Sequence, residues 1–260
     1  MRYLLPLFLV LAWVQGAQGA VRGEKIEYRQ GDTVLEGYLA FDDAVQGKRP
    51  GVLVAHAWKG LDDHSRKSAD ALARLGYTAF ALDVYGKDVR PKTNPEASAL
   101  AGKFKSDRAL MRARALAGLE VLRAQPTVDP ARVAAIGYCF GGTTVLELAR
   151  AGAPLQGVVS FHGGLDRGKG EGTPTIKARV LALHGGDDPF VPEKDVLAFQ
   201  EEMRKAKADW QLNVYGGAVH AFTDPGAGTN PAAGAAYDEK AARRSWEAMR
   251  LFFNELFKQG

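Results

Sequence analysis

Short apolar strands alternate with amphipathic helical segments along most of this chain, and no other feature constrains its fold as strongly. The predicted strands cover residues 51–55, 77–82, 133–137, 157–161, 180–184 and 211–215. The predicted helices cover residues 62–75, a segment ending near Arg123, residues 140–149, residues 193–207 and a closing segment with Trp246, Met249, Phe253 and Leu256 as its apolar stripe. This alternation is typical of right-handed crossover units in a largely parallel sheet with helices on both faces. We therefore predict a three-layer α/β fold, opened by a hairpin over residues 25–28 and 33–40.

The composition agrees with a single domain over residues 20–260. Of the 260 residues, 46% are hydrophobic and 25% charged, which excludes a disordered, collagen-like or coiled-coil chain. The 30 glycines and 12 prolines are spread along the chain and mark no linker, and no repeat of about 20–50 residues points to a solenoid. The 34 basic and 30 acidic residues are well mixed, which indicates a solvated surface and no nucleic-acid partner.

Residues 1–19 have the pattern of a secretory signal peptide. Arg2 precedes an apolar run over residues 4–14, and Ala17 and Gly19 are the small residues that a signal peptidase inspects. The apolar run is too short for a membrane span, and a retained anchor is the alternative interpretation. We expect cleavage before Ala20, a secreted or periplasmic location, and no membrane association after removal of the leader.

The single cysteine of the chain, Cys139, lies between a predicted strand and a predicted helix. An isolated cysteine is usually a small buried apolar residue, but residues 137–142, GYCFGG, have the glycine spacing of a nucleophile elbow. Side chains at Gly137 and Gly141 would collide across such a turn, and the N-terminus of the following helix favours a thiolate and an oxyanion. Cys139 is therefore a candidate nucleophile. One cysteine also excludes an internal disulfide and a cysteine-based metal cage.

A nucleophile of this kind requires a general base and an acid that orients the base. In chains with a nucleophile elbow, the acid and then the histidine follow the nucleophile in sequence. His220 is favoured as the base because it lies in a glycine-rich loop after the last predicted strand. His162 and His184 are expected to satisfy local hydrogen bonds at strand ends, with His162 also a candidate to line the pocket. His64 is expected to be solvated on a polar helix.

Two adjacent aspartates compete for the acid role in the loop after a predicted strand. Asp188 is favoured over Asp187 because it stands three residues after Gly185 and three before Val191, a spacing common in hydrolases. Asp187 is then expected to cap the loop. Asp83 precedes the nucleophile and is expected to be a turn residue near the pocket.

These segments together resemble the dienelactone hydrolase family, whose members are cysteine-dependent enzymes with the α/β-hydrolase fold. The resemblance runs from about Gly51 to the C-terminus. It rests on residues 137–142, residues 185–192 (GGDDPFVP) and residues 215–222 (YGGAVHAF), with a further match at residues 76–86. Three motifs in the family's order make the resemblance specific.

The resemblance implies Cys139 as nucleophile, Asp188 as orienting acid and His220 as base. It also implies an oxyanion hole formed by the backbone N–H groups of Phe140 and Trp58. The implied activity is hydrolysis of a small ester, lactone or thioester through an acyl-cysteine intermediate, with no metal or organic cofactor.

Two positions depart from dienelactone-cleaving members of the family. Ala57 stands where those members have a glutamate that helps to control protonation of the thiol, and Asp224 stands where one of their substrate-binding arginines lies. The first change favours a standing thiolate. The second weakens the case for a carboxylate-bearing lactone, unless Lys59, Lys87 or Lys92 replaces the arginine.

The remaining expectations concern the pocket and the partners. Four residues after the predicted strands are candidates to line an apolar pocket, although plain packing explains them equally well: Ala57, Tyr85, His162 and Phe222. The alternative function is a non-catalytic binding or scaffold protein with this fold. A thiol redox protein would need a resolving cysteine, and nothing in the sequence indicates the extended groove of a peptidase. The expected partner is a small ester or lactone substrate, and the expected state is a monomer or weak dimer.

Overall fold

A computed structural model describes residues 20–168 and 174–258. Residues 1–19, for which the sequence predicts a signal peptide, lie outside the described residues, and the signal peptide stays a prediction. The described strands are β1 (Val21–Gln30), β2 (Thr33–Asp42), β3 (Arg49–Ala55), β4 (Thr78–Leu82), β5 (Val128–Tyr138), β6 (Gly157–Phe161), β7 (Arg179–Gly185) and β8 (Trp210–Tyr215). The described α-helices are α1 (Asp63–Arg74), α2 (Asn94–Ser106), α3 (Arg108–Arg123), α4 (Phe140–Arg150), α5 (Glu193–Lys205) and α6 (Glu239–Lys258).

The described strands form one sheet in the order β1-β2-β4-β3-β5-β6-β7-β8. The N-terminal hairpin pairs β1 with β2, and β2 also runs antiparallel to β4. All other neighbours, from β4 to β8, are parallel. The predicted hairpin and the predicted three-layer α/β fold with a mostly parallel sheet are therefore confirmed. The carboxyl ends of the parallel strands meet at one end of the sheet, where sites form in such folds.

Side chains alternate along the parallel strands and divide the interior into two cores. In β3, Leu53 and Ala55 face a core shared with α2, α3, α4 and α5, whereas Val52 and Val54 face a core shared with α1 and α6. Strands β4 and β6 are buried on both faces, which explains their mostly apolar sequences, TAFAL and GVVSF. Within the described part of the chain, no helix combines the length and the apolar character that crossing a membrane demands.

The segment between β4 and β5 holds two helices where the sequence predicts one. Asp107 makes the break, because its N–H donates to the Lys103 carbonyl at the end of α2 and its carboxylate accepts from the Leu110 N–H at the start of α3. The break leaves Lys105 at the C-terminal end of α2. Its ammonium nitrogen lies beside the loop that follows β6, 4.0 Å from where a Cβ on Gly164 would be.

Candidate active site

The turn between β5 and α4 holds Cys139 in a strained backbone conformation with a partly exposed side chain. Its φ of 54° and ψ of −113° are rarely adopted by residues with side chains. A Cβ on Gly137 would collide with the Gly141 carbonyl, as the spacing predicts, whereas a Cβ on Gly141 would collide with the Ala55 carbonyl of β3. The two glycines thus let α4 begin directly against the ends of β5 and β3.

Cys139, His220 and Asp188 come together at the carboxyl end of the sheet from three different loops. His220 Nδ1 is 2.7 Å from Asp188 Oδ2, and the imidazole is also hydrogen-bonded to the Cys139 sulfur. Because Nδ1 of His220 is hydrogen-bonded to the Asp188 carboxylate, Nε2 is the nitrogen that faces the sulfur. The Asp188 side chain is fully buried, and its Oδ1 accepts a 2.8 Å hydrogen bond from the Phe190 N–H. The three side chains form a continuous chain of potential nucleophile, base and acid.

Opposite charges dominate the electrostatics of Cys139, His220 and Asp188. Burial alone would raise the pKa of the Cys139 thiol, but the charge of His220 and its hydrogen bond, with smaller contributions from Lys105 and the Phe140 N–H, hold that pKa below its ordinary value. Burial would lower the pKa of His220, but Cys139 and Asp188 raise it to about 10. The geometry therefore favours a thiolate that faces an imidazolium at neutral pH.

Replacement of His220 by Asn is expected to raise the pKa of Cys139 above that of an ordinary cysteine, because burial remains while the facing charge is lost. In the wild-type protein the thiolate is lost only as pH falls through the lowered pKa of Cys139, and the imidazolium only as pH rises towards 10. The measurement is the rate of iodoacetamide alkylation of Cys139 against pH. At neutral pH the rate should fall at least about tenfold in the variant, and an unchanged profile would contradict the ion pair.

The neighbouring aspartates occupy different environments. Asp187 is exposed, and its N–H donates to the Ala218 carbonyl. Asp83 is fully buried after β4, where its carboxylate accepts hydrogen bonds from the N–H groups of Tyr85 and Gly86. The structure thus places Asp188 on His220, Asp187 at the loop surface and Asp83 in a turn.

The loop after β3 lies beside the Cys139 turn because β3 and β5 are parallel neighbours. His56 at the start of this loop is fully buried. Its Nε2 accepts a 3.1 Å hydrogen bond from the Val84 N–H, so its Nδ1 carries the proton and donates to the Ala57 carbonyl at 2.7 Å. These bonds tie the loop after β3 to the loop after β4 and hold the peptide between Ala57 and Trp58.

Tyr85 and Phe140 complete this side of the site. The Tyr85 hydroxyl donates to the Trp58 carbonyl at 2.9 Å, and its ring lies 5.3 Å from the Phe140 ring. The Phe140 N–H helps to lower the pKa of the Cys139 thiol. Ala57 and Trp58 are half-buried, whereas Tyr85 is only 5% exposed.

Two of the candidate pocket residues lie behind the nucleophile, within the packed interior. His162 is 2% exposed and accepts a hydrogen bond from the Cys139 N–H. Phe222 is fully buried, with its ring 5.0 Å from the His162 ring. Both side chains therefore support the site from inside the core.

Two further histidines differ from the expectations. His64 is half-buried and not solvated, because the start of α1 packs against the loop after β8, where His64 Nε2 donates to the Thr223 carbonyl at 3.2 Å. Its ring also meets the Tyr138 ring edge-on at 4.5 Å. His184 is buried at the end of β7, and among the described residues its Nδ1 has no hydrogen-bond partner.

The structure shows the surroundings of Lys87, Asp224 and Lys105, three charged residues on the loops and helices around the site. Lys87 is paired with Glu27 of β1. Asp224 caps the short 3₁₀ turn Pro225–Ala227. Lys105 is the lysine whose charge acts on Cys139. Across residues 20–168 and 174–258, no group of three or more His, Cys, Asp or Glu side chains is arranged to hold a metal ion.

Four residues at or near the site were not identified from the sequence: His56, Lys105, Thr223 and Phe190. The Phe190 ring lies 5.4 Å from the His220 ring, edge to face, although the residue is 62% exposed. Phe190 is part of the GGDDPFVP segment, and Thr223 directly follows the segment that contains His220. Proximity to these motifs is the signal that could have drawn attention to them.

Several known proteins are similar to this chain over most of its length. The family model described as "Dienelactone hydrolase family" matches residues 35–257. The crystal structure of a dienelactone hydrolase-like promiscuous phosphotriesterase, P91, from metagenomic libraries has a TM-score of 0.86 and 45% identity, covering 92% of this chain and 99% of that chain. The structure named m3DLH has a TM-score of 0.88 and 44% identity, covering 92% and 100%. An Aquifex aeolicus protein that bears the name carboxymethylenebutenolidase is 25% identical over 239 residues, 91% of this chain and 100% of that protein.

Proposed function

This chain belongs to the dienelactone hydrolase family and is a hydrolase of lactones or esters, and from this premise we propose that it cleaves a small ester, lactone or thioester through an acyl-cysteine intermediate. Family membership favours an enzyme over the non-catalytic binding or scaffold protein that the sequence left open. The observation that carries the proposal is the hydrogen-bonded chain from the Cys139 sulfur through His220 to the buried Asp188 carboxylate.

The backbone N–H groups of Phe140 and Trp58 are the proposed donors to the oxyanion. Phe140 begins α4, so its N–H carries the partial positive charge of the helix N-terminus, and it helps to lower the pKa of the Cys139 thiol. His56 holds the Ala57 carbonyl. In a trans peptide the Trp58 N–H points away from that carbonyl, which supports its role as the second donor.

The proposed reaction has two steps. The Cys139 thiolate attacks the carbonyl carbon, and the oxyanion forms against the two N–H groups. The ester C–O bond then breaks, and His220 Nε2 gives its proton to the leaving alkoxide. In the second step the neutral imidazole takes a proton from water, whose oxygen attacks the thioester. The C–S bond breaks, releasing the acid and restoring the ion pair, while Asp188 holds the imidazole in the required tautomer.

Acid quenching of a reaction with p-nitrophenyl acetate is expected to trap protein that is heavier by one acetyl group. Peptide mass spectrometry should locate the acetyl group on Cys139, because the thioester survives in acid once His220 is protonated. Prior alkylation with iodoacetamide is the control and should remove both the adduct and the turnover. Continued turnover by fully alkylated protein would exclude the acyl-cysteine intermediate.

A phosphotriester is a second candidate substrate, favoured by the 45% identity to P91, which is described as a promiscuous phosphotriesterase. A sulfur nucleophile that is already ionised needs no proton removal before it attacks phosphorus. Attack would displace an aryloxide, and water would then cleave the S–P bond and restore the thiolate. We expect repeated release of p-nitrophenolate from diethyl p-nitrophenyl phosphate. Release of one equivalent or less would restrict turnover to carboxylic esters.

A further inference from the structure

His162 is a buried histidine that the proposed reaction steps do not use. It follows β6, and both of its ring nitrogens have partners. Nδ1 accepts a 3.2 Å hydrogen bond from the Cys139 N–H, and Nε2 lies 2.7 Å from the Thr223 hydroxyl oxygen. Because a backbone N–H only donates, Nδ1 is unprotonated, and the proton on Nε2 is donated to Thr223.

The surroundings of His162 keep its ring uncharged. Burial and the positive charge of His220, whose ring lies 5.3 Å away, hold the pKa of His162 well below its ordinary value. A neutral ring with both nitrogens engaged cannot take the proton of the Cys139 thiol. His162 is therefore not a second general base, and its contact with Cys139 is to the backbone.

Close backbone contact brings His162 behind the nucleophile. A Cβ on Gly142 would lie only 2.7 Å from Gly163 Cα, so the first turn of α4 and the loop after β6 meet at a distance that only glycine permits. The Cys139 N–H also donates to the Phe161 carbonyl at 3.0 Å. The Phe161 carbonyl and His162 Nδ1, both at the end of β6, thus share the N–H of Cys139, whose backbone conformation is strained.

Thr223 connects His162 to the loop that carries His220. It lies three residues after His220, and its carbonyl accepts the hydrogen bond from His64 of α1. The contacts form a closed ring. Hydrogen bonds join the Cys139 backbone to His162 and His162 to Thr223, the polypeptide joins Thr223 to His220, and His220 is hydrogen-bonded to the Cys139 sulfur. Both ends of the hydrogen bond between sulfur and imidazole are anchored to the same buried side chain, that of His162.

We propose that His162 is a positioning residue that holds the Cys139 backbone and, through Thr223, sets the separation between the Cys139 sulfur and His220. The inference rests on the proposed role of Cys139 as nucleophile. Without the Nδ1 acceptor, the strained turn loses one of its two restraints, and the sulfur moves relative to the imidazole. A displacement of about 1 Å in such a pair can cost up to about 100-fold in rate.

Two matched pairs of variants test this inference. His162→Asn keeps an acceptor at the position of Nδ1, whereas His162→Gly removes it, and both residues tolerate the positive φ of 40° found at His162. Thr223→Ser keeps the hydroxyl, whereas Thr223→Val removes it at similar volume. The readouts are kcat and KM for p-nitrophenyl acetate, the iodoacetamide alkylation rate of Cys139, and the folded fraction by circular dichroism.

In His162→Gly, loss of the acceptor is expected to lower kcat and the alkylation rate at least about tenfold, with KM changed less than about twofold. In His162→Asn, both rates should stay within about threefold of the wild-type values. Thr223→Val should fall at least about threefold below Thr223→Ser. Equal rates within each pair, at equal folded fraction, would overturn the inference while leaving the proposed function standing. Wild-type turnover by Cys139→Ala would instead overturn the proposed function.

Discussion

Cys139→Ala is expected to lower kcat for p-nitrophenyl acetate by at least about 10⁴-fold, because no other side chain in the hydrogen-bonded chain can form the acyl intermediate. The oxyanion donors and the binding site remain in this variant, so a small residual rate above that of water is expected. The measurement is the steady-state release of p-nitrophenolate. A panel of lactones, followed by their ring opening, extends the comparison to the substrates that the family implies.

Cys139→Ser is the matched control for this variant. It keeps the hydrogen bond to His220 and nearly the same volume, but its hydroxyl does not ionise near neutral pH and must lose its proton during attack. Its kcat should lie between those of the wild-type protein and Cys139→Ala. Similar melting temperatures for the two variants would show that the strained turn at φ 54° still folds. Turnover by Cys139→Ala at the wild-type rate would contradict the acyl-cysteine mechanism.

Asp188→Asn is expected to lower kcat by about 10³–10⁴-fold, since the amide can donate to Nδ1 and favour the wrong tautomer of His220. The carboxylate is fully buried and also accepts the Phe190 N–H, so the loop geometry should survive the substitution. The loss of negative charge beside His220 also removes one of the interactions that raise its pKa. The alkaline limb of the kcat profile should therefore shift to lower pH.

Asp187→Asn provides the comparison one residue away. Asp187 is exposed, and its contact with the Ala218 carbonyl is made by the backbone N–H, which the substitution retains. We expect kcat within about twofold of wild type. A large loss of kcat in Asp187→Asn together with a small loss in Asp188→Asn would show that Asp187, and not Asp188, is the orienting acid.

The parts of the fold that depend on local sequence could be predicted. Strand and helix periodicity predicted the sheet elements, and the glycine spacing predicted the turn at Cys139, because a Cβ at Gly137 would strike the Gly141 carbonyl. The positions of Asp188 and His220 after β7 and β8 placed them at the same end of a parallel sheet. Topology then brings the three side chains together.

The parts that depend on long-range packing could not be predicted. Nothing near His162 in sequence indicates that its Nδ1 meets the Cys139 N–H, since that contact follows from the backbone approach of Gly142 and Gly163. Likewise, the sequence shows Phe222 only as an aromatic residue after a strand, and the packing of its ring against His162 reveals that it lies in the core. The break at Asp107 was missed because α2 and α3 adjoin without a glycine or proline between them.

The acidity of the Cys139 thiol is a property of the completed fold, and this has a consequence for the order in which the chain matures. Cys139 lies in mid-chain, whereas the His220 that ionises it follows β8, the outermost strand on its side of the sheet. Before β8 docks on β7, the thiol lacks the charge of His220 that lowers its pKa, so less of it is thiolate at neutral pH and it reacts more slowly with alkylating agents. The rise in the rate of Cys139 alkylation during refolding would therefore report when the C-terminal third of the chain docks.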